Sequence, residues 1–238
     1  MSEAAVAPTA RETKQGVATA ELRRTMVDRQ LRPYDVTDVP LIDRFLDVPR
    51  ELFLPQSQSD LAYSDLAVTV RGAGGARRSM LPPLVLARLL QGASPRPDEK
   101  VLDIGGAGYS AAVLSGLVRE VVMVESDPDL LARARAGISA LGLDNVQVEL
   151  GPLNQGAASA GPFDVIYVHG GVETDLDGLF AQLTPNGRLM AIVTPEVGAG
   201  QQVVRFERRD GKAAGSLPLL SVNAPVLEGF HKAPAFAF

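Results

Sequence analysis

The segment Val101–Ser110, VLDIGGAGYS, restricts this chain more than any other. An apolar run of strand length ends in a glycine-rich turn, and the turn opens onto an apolar stretch of helix length, Tyr109–Leu117. Glycines permit backbone angles closed to other residues and let the main chain come close to a ligand. The next apolar run, VVMVE at 121–125, ends in Glu125, about 20 residues beyond the first glycine. An acid at that place can accept hydrogen bonds from both ribose hydroxyls of an adenosine-containing cofactor. In an open α/β sheet such a ligand lies at the carboxyl ends of the strands.

The alternation continues downstream. Strands are predicted at 101–104, 121–125, 146–150, 163–168 and 188–193, with helices over Tyr109–Leu117, Pro128–Leu141 and Leu176–Leu183 between them. Gly142 stops the second helix, and Pro185-Asn186-Gly187 is a turn after the third. This order implies an α/β fold with a doubly wound, mostly parallel sheet of Rossmann type, covered by helices on both faces. VVRFERR at 203–209, the turn Asp210-Gly211 and Ser216–Val222 read as a C-terminal antiparallel hairpin.

Upstream the chain predicts a helical N-terminal extension. Met1–Gly16 is small, polar and aperiodic, which predicts a flexible tail. Leu22, Met26 and Val27 suit a helix over about Val17–Leu31 that stops before Pro33. A second helix is predicted over Val39–Val48 with Asp38 as its N-cap, and a third from Pro82–Pro83 to Gly92. Between these, Arg71–Arg78 (RGAGGARR) reads as a basic, glycine-rich loop.

Composition removes several function classes. The chain has no cysteine, which excludes disulfides, thiolate metal sites and a cysteine nucleophile. Two histidines, His169 and His231, are too few for a histidine-rich metal site, so no metal is expected. A net charge of −5 argues against binding nucleic acid through bulk charge. The longest apolar runs have strand length, far short of the ~20 residues that span a bilayer, and no secretory leader pattern opens the chain. No membrane partner and a cytoplasmic setting are expected.

Two cofactor classes fit the glycine turn. Dinucleotide sites usually show the G-x-G-x-x-G spacing, because a pyrophosphate needs the helix N-terminus. Here the glycines read G-G-A-G, and Asp103 stands in the last turn of the strand. A carboxylate there opposes a pyrophosphate and suits the cationic amino and sulfonium groups of S-adenosylmethionine. The cofactor-binding candidates are Asp103, Gly105, Gly106, Gly108, Glu125 and Ser126. A glycine turn that only joins strand to helix is the bland alternative.

The order of further segments resembles the protein-L-isoaspartate O-methyltransferase family, over about Met26 to Arg188. The resemblance rests on PRELFLP (49–55), AYSD (62–65), RSMLPP (78–83), VLDIGGAGYSAAVLSGLV (101–118), VVMVE (121–125), LGLDNVQVELG (141–151), GPFDVIYV (161–168) and QLTPNGRL (182–189). It implies a class I methyltransferase-like fold and S-adenosylmethionine as methyl donor. It also implies, as acceptor and partner, an L-isoaspartyl carboxylate in a damaged protein or peptide.

Three departures from the family pattern stand out. Anchored on Pro82, the family's reaction-site serine falls on Met80, with Ser79 one place off. The glycine loop is one residue shorter than G-x-G-x-G. The family's G-D-G after the third strand is Gly151-Pro152-Leu153, which puts Pro152 and Leu153 on the adenine side without an acid. An acceptor carboxylate is already ionised at neutral pH, so it needs orientation more than a base. The resemblance therefore makes Ser79, Met80 and Asp65 the catalytic candidates, joined by Arg78, since Arg77 or Arg78 can grip a carboxylate in place of a hydroxyl. Three outcomes stay open: a carboxyl methyltransferase, a methyltransferase with another acceptor, or a cofactor-binding or interaction protein without catalysis.

The remaining residues carry paired expectations. Tyr63 and Asp65 either shape the acceptor cleft or are a buried tyrosine and a turn aspartate. His169 reads as a loop residue before a catalytic one, Asp164 as structural, and Asp127 as a helix cap beside Ser126. The organisation expected is a tail at 1–16, a helical and acceptor-side segment at 17–99, and a cofactor-binding domain at 100–238.

Overall fold

A computed structural model describes residues 10–194, 200–209 and 212–232. The expected tail falls largely on residues 1–9, outside the described residues, but its end does not hold. Helix α1 (Ala10–Met26) begins seven places before Val17, because Ala10–Gln15 is built almost wholly of strong helix formers. The path continues through wider turns over Val27–Leu31 and a 3-10 turn at Arg32–Tyr34. Met26 and Val27 are buried as their spacing predicts, whereas Leu22 is exposed. Helix α2 (Val39–Asp47) is capped by the Asp38 carboxylate, which accepts from the Leu41 amide at 3.0 Å.

The basic loop is instead a two-stranded hairpin, β1 (Val68–Arg71) and β2 (Arg77–Met80), turning at Gly72–Ala76. Its burial alternates, with Val68, Val70, Arg78 and Met80 inward. Glycine and arginine content hides that alternation, because Arg78 is an inward position filled by a charge. Helix α3 (Pro83–Ala93) follows.

The main sheet has the order β5-β4-β3-β6-β7-β8-β9. Its parallel part is β3 (Lys100–Ile104), β4 (Glu120–Glu125), β5 (Val146–Leu150), β6 (Phe163–Val172) and β7 (Leu183–Val193). Strands β8 (Gln201–Arg209) and β9 (Lys212–Val222) add antiparallel to β7, as the hairpin pattern predicts, although the Asp210-Gly211 turn lies outside the described residues. Helix α4 (Tyr109–Leu114) and helix α5 (Pro128–Ala140) connect β3 to β4 and β4 to β5. Helix α6 is a single turn, Asp177–Phe180. The expected turn at Pro185–Gly187 is absorbed into β7 as a register shift opposite Phe163–Val165.

Period-two alternation sorts the strand residues into two cores. Val101, Val121, Met123, Val165, Tyr167, Met190 and Ile192 face α1 to α5. Leu102, Ile104, Val122, Val124, Ile166, Val168, Leu189 and Ala191 face short 3-10 turns, α6 and the segment after β9. The second face is therefore covered by short turns rather than long helices. The chain reverses direction across the sheet between β3 and β6, which opens a crevice at their carboxyl ends. By the same alternation, Asp103, Glu125 and His169 share the first face. No helix among the described residues is long and apolar enough to cross a membrane.

Candidate cofactor and acceptor site

Strand β3 delivers Asp103 to the crevice, wholly buried. The chain then turns through Gly105 (φ 72°), Ala107 (φ 54°) and Gly108 (φ 89°) before α4 begins. Gly106 is fixed by close approach. A Cβ on it would stand 1.8 Å from Ser110 Oγ and 2.7 Å from Asp103 Oδ1, so only glycine lets the loop lie against the acid. Ser110 donates to Asp103 Oδ2 at 2.5 Å. On the other side, His169 Nε2 lies 2.7 Å from Asp103 Oδ1, a close polar contact without the alignment of a hydrogen bond. His169 belongs to β6, which runs past 168 to Val172, so it is a buried strand residue, not a loop residue.

Glu125 ends β4 as predicted, and its carboxylate is fully engaged. Oε1 accepts from the Ser126 and Asp127 amides at 2.7 and 3.0 Å. Arg78 reaches in from the hairpin, donating from Nε to Oε2 at 3.0 Å and from Nη2 to Oε1 at 2.6 Å. Arg78 Nη2 also reaches Ser126 Oγ at 2.5 Å and Glu228 Oε2 at 3.0 Å. The guanidinium expected to grip an acceptor is thus spent on Glu125, because β2 alternation turns it inward.

An open cleft of about 720 Å³ lies beside this pair. Arg71, Arg77 and Ser79 of the hairpin form one wall, Ser126 and Asp127 another, and Val226 and Glu228 a third. The start of α5 holds the hairpin in place: Asp129 accepts from the Ala73 amide at 2.8 Å, and Gly72 lies so close to Asp127 that a Cβ on it would collide with the carboxylate. Asp127 also caps α5, as its position before Pro128 predicts. Ser79 lines both the cleft and a small void behind it, shared with Arg50, Met80, Leu81, Leu86, Gly106, Tyr109 and His169.

Other candidates fall elsewhere. Asp65 is exposed before β1 and is not among the residues lining the cleft. Pro152 is exposed and Leu153 is buried in the second core, so neither stands with the cleft residues. Asp164 accepts from the Lys100 amide and the Thr184 hydroxyl, a structural role as expected. Tyr63 donates to Glu51 and accepts from the Arg50 amide and from Arg23 Nη1, which makes it the brace of the 49–55 segment. Arg50 and Tyr109 carry no expectation from the sequence, and His169 reads there as a loop residue. The one sequence signal for Arg50 is its place in the family-like segment PRELFLP at 49–55.

The residues present fit S-adenosylmethionine at its amino-acid end. Asp103 offers a buried carboxylate, and Ser79, Tyr109 and His169 hold buried polar atoms without hydrogen-bond partners around the adjoining void. At the ribose end Glu125 is in place, with Arg78 competing for it.

Comparison with known proteins agrees with this layout. A family model described as protein-L-isoaspartate(D-aspartate) O-methyltransferase matches residues 23–222. A protein-L-isoaspartate O-methyltransferase of Methylorubrum extorquens (strain PA1) is 35% identical over 210 residues, 84% of this chain and 89% of its own. One from Roseiflexus sp. (strain RS-1) is 34% identical over 213 residues, 89% and 94% of the two chains. Among solved structures, a protein-L-isoaspartate O-methyltransferase superposes with a TM-score of 0.76 at 27% identity, over 87% of this chain and 66% of that one. A Plasmodium falciparum structure, described as a complex with S-adenosyl-L-homocysteine, gives a TM-score of 0.70 at 18% identity over 88% and 98%, a likeness of fold.

Proposed function

The chain belongs to the protein-L-isoaspartate O-methyltransferase family, and on that premise we propose that it methylates the carboxylate of L-isoaspartyl residues in damaged proteins, with S-adenosylmethionine as donor. One observation carries the proposal: Asp103 and Glu125 stand at the carboxyl ends of neighbouring strands, with the glycine turn beside them. When bound, the cofactor supplies a methyl group on a sulfonium centre.

The chain's own residues have four tasks. Asp103 faces the cationic amino group. Glu125 serves the ribose once Arg78 swings aside. Arg71 and Arg77, on the cleft wall, hold the acceptor carboxylate, which arrives ionised and needs no base. Ser79 sits where cleft and inner void meet and can donate to that carboxylate, in place of the family serine that falls on Met80. A charged cofactor does not cross a bilayer unaided, so the reaction belongs where the cofactor is made, which we take to be the cytoplasm.

The Arg78–Glu125 pair favours a second reading, a protein of this fold without turnover. The test is S-adenosylhomocysteine formation with an isoaspartyl peptide and with its aspartyl twin. Product with the first alone, falling about 10-fold or more in Ser79→Ala, is expected. Cofactor binding without product from either peptide overturns the acceptor assignment and leaves the second reading.

A further inference from the structure

Arg50 opens the 3-10 turn Arg50–Phe53, and its side chain is fully buried. One amino group, Nη2, donates to the Leu81 carbonyl at 2.8 Å, and the guanidinium carbon lies 5.0 Å from the centre of the Tyr109 ring. Its Nε and Nη1 have no hydrogen-bond partner, and no carboxylate of the described residues pairs with it. Burial pushes the guanidinium below its ordinary pKa, opposed only by the oxygens of Tyr109 and Tyr63.

Arg50 is not alone in this. Ser79 Oγ and both ring nitrogens of His169 are buried and likewise lack hydrogen-bond partners, and Tyr109 Oη has none beyond the Arg50 guanidinium itself. All four residues line the same small void, of about 10 Å³, which abuts Gly106. A space of that size holds one water at most. A water satisfies donors but leaves the charge unpaired, and a buried cation is normally paired with an anion. The contacts with a ring face and one carbonyl replace only part of what water gives five N–H donors.

We propose that Arg50 is a ligand-carboxylate receptor, with Ser79, Tyr109 and His169 as its polar partners. The void is lined by Gly106 of the glycine turn and by His169, which touches Asp103, and that position points to the carboxylate of the cofactor's amino-acid end: Asp103 faces the amino group and Arg50 the carboxylate of one zwitterion. Met80 is the wall that yields, since its unbranched side chain has three rotatable bonds. The assignment rests on the cofactor proposed above. The acceptor's carboxylate is the other possible source of the same chemistry.

Calorimetric titration separates the two. Three ligands are used: S-adenosylhomocysteine, its decarboxylated analogue, and 5′-methylthioadenosine, which lacks the amino-acid end. In Arg50→Met, S-adenosylhomocysteine should bind about 10- to 100-fold more weakly, the loss expected for a charge-assisted hydrogen-bonded pair, while 5′-methylthioadenosine is unchanged. Arg50→Lys should fall between. Unchanged S-adenosylhomocysteine affinity with a raised KM for the isoaspartyl peptide at constant kcat assigns the receptor to the acceptor instead. Equal weakening of all three ligands, or no change in any ligand or KM, overturns the proposal.

Two measurements on the wild-type protein guard against a variant that does not fold. Equal affinity for S-adenosylhomocysteine and its decarboxylated analogue, with no loss of peptide binding on esterifying the isoaspartyl carboxylate, also overturns it. If no nucleoside binds, the proposed function fails on its own. The receptor then stands or falls on whether sodium formate raises the melting temperature above that in sodium chloride of equal ionic strength.

Discussion

Arg78 and Glu125, 47 residues apart in the chain, meet as a two-pronged pair at 2.6 and 3.0 Å with both side chains fully buried. The pair locks the hairpin onto the end of β4 and occupies the acid proposed above to serve the ribose. Arg78→Met should therefore move two observables in opposite directions. Stability should drop by about 3 kcal/mol, the lower end of the cost of stranding a buried charge, because Glu125 keeps two amide donors. Affinity for 5′-methylthioadenosine should rise, since its ribose no longer competes with a guanidinium. Urea denaturation and calorimetry read the two effects; a fall in both would show that Arg78 supports the nucleoside rather than displacing it.

A second buried pair sets the acid limit of the fold. Arg188 donates to Glu99 at 2.7 and 2.8 Å and also reaches the Ala93 and Ser94 carbonyls, tying β7 to the end of α3. Burial works to raise the Glu99 pKa, but hydrogen bonds from Arg188 and the Arg96 amide outweigh it, and the carboxyl is held below its usual value. A lowered folded pKa adds stability that is whole above the ordinary value of about 4.3 and is lost as pH falls below it. The melting temperature should thus decline below about pH 4.3. In Glu99→Gln the decline should be shallower, from a lower starting value at pH 7. Parallel curves for the two proteins would remove Glu99 from the acid transition.

How far the sequence revealed this molecule depends on the range of each interaction. Strands β3, β4, β5 and β6 were legible because apolar periodicity is local, and Asp127 as a cap because its partners are two and three residues away. The places of Asp103 and Gly106 at the end of β3, and of Glu125 at the end of β4, were legible because one short segment and the next strand end define them. The hairpin was not, because the inward place of Arg78 is justified by Glu125, Ser126 and Glu228, all distant in the chain. Arg50 goes unread and His169 reads as a loop residue for the same reason: each gains its meaning from β2, α4 or β3, which only the tertiary fold brings near. Asp65, Pro152 and Leu153 came from family alignment, and the fold puts none of them at the cleft. Pattern located the strand that presents each acid; it did not locate the cation facing it.

The packing of the glycine turn gives the sharpest test of the site. A Cβ at Gly106 meets Ser110 Oγ at 1.8 Å, Asp103 Oδ1 at 2.7 Å and the His169 ring at 3.1 Å. Gly106→Ala alone should cost about 1–3 kcal/mol as an overpacked buried site. Ser110→Ala alone should cost about 1.5–3 kcal/mol through loss of its hydrogen bond to the Asp103 carboxylate. Together they should cost less than the sum by at least about 1 kcal/mol, because the second change removes the nearest atom that the first collides with. Denaturation midpoints of the wild type, both single variants and the double variant close the cycle. Additive losses would mean that the turn relaxes away from Asp103 when Gly106 is replaced, and that the close approach of backbone to acid does not hold this corner of the site.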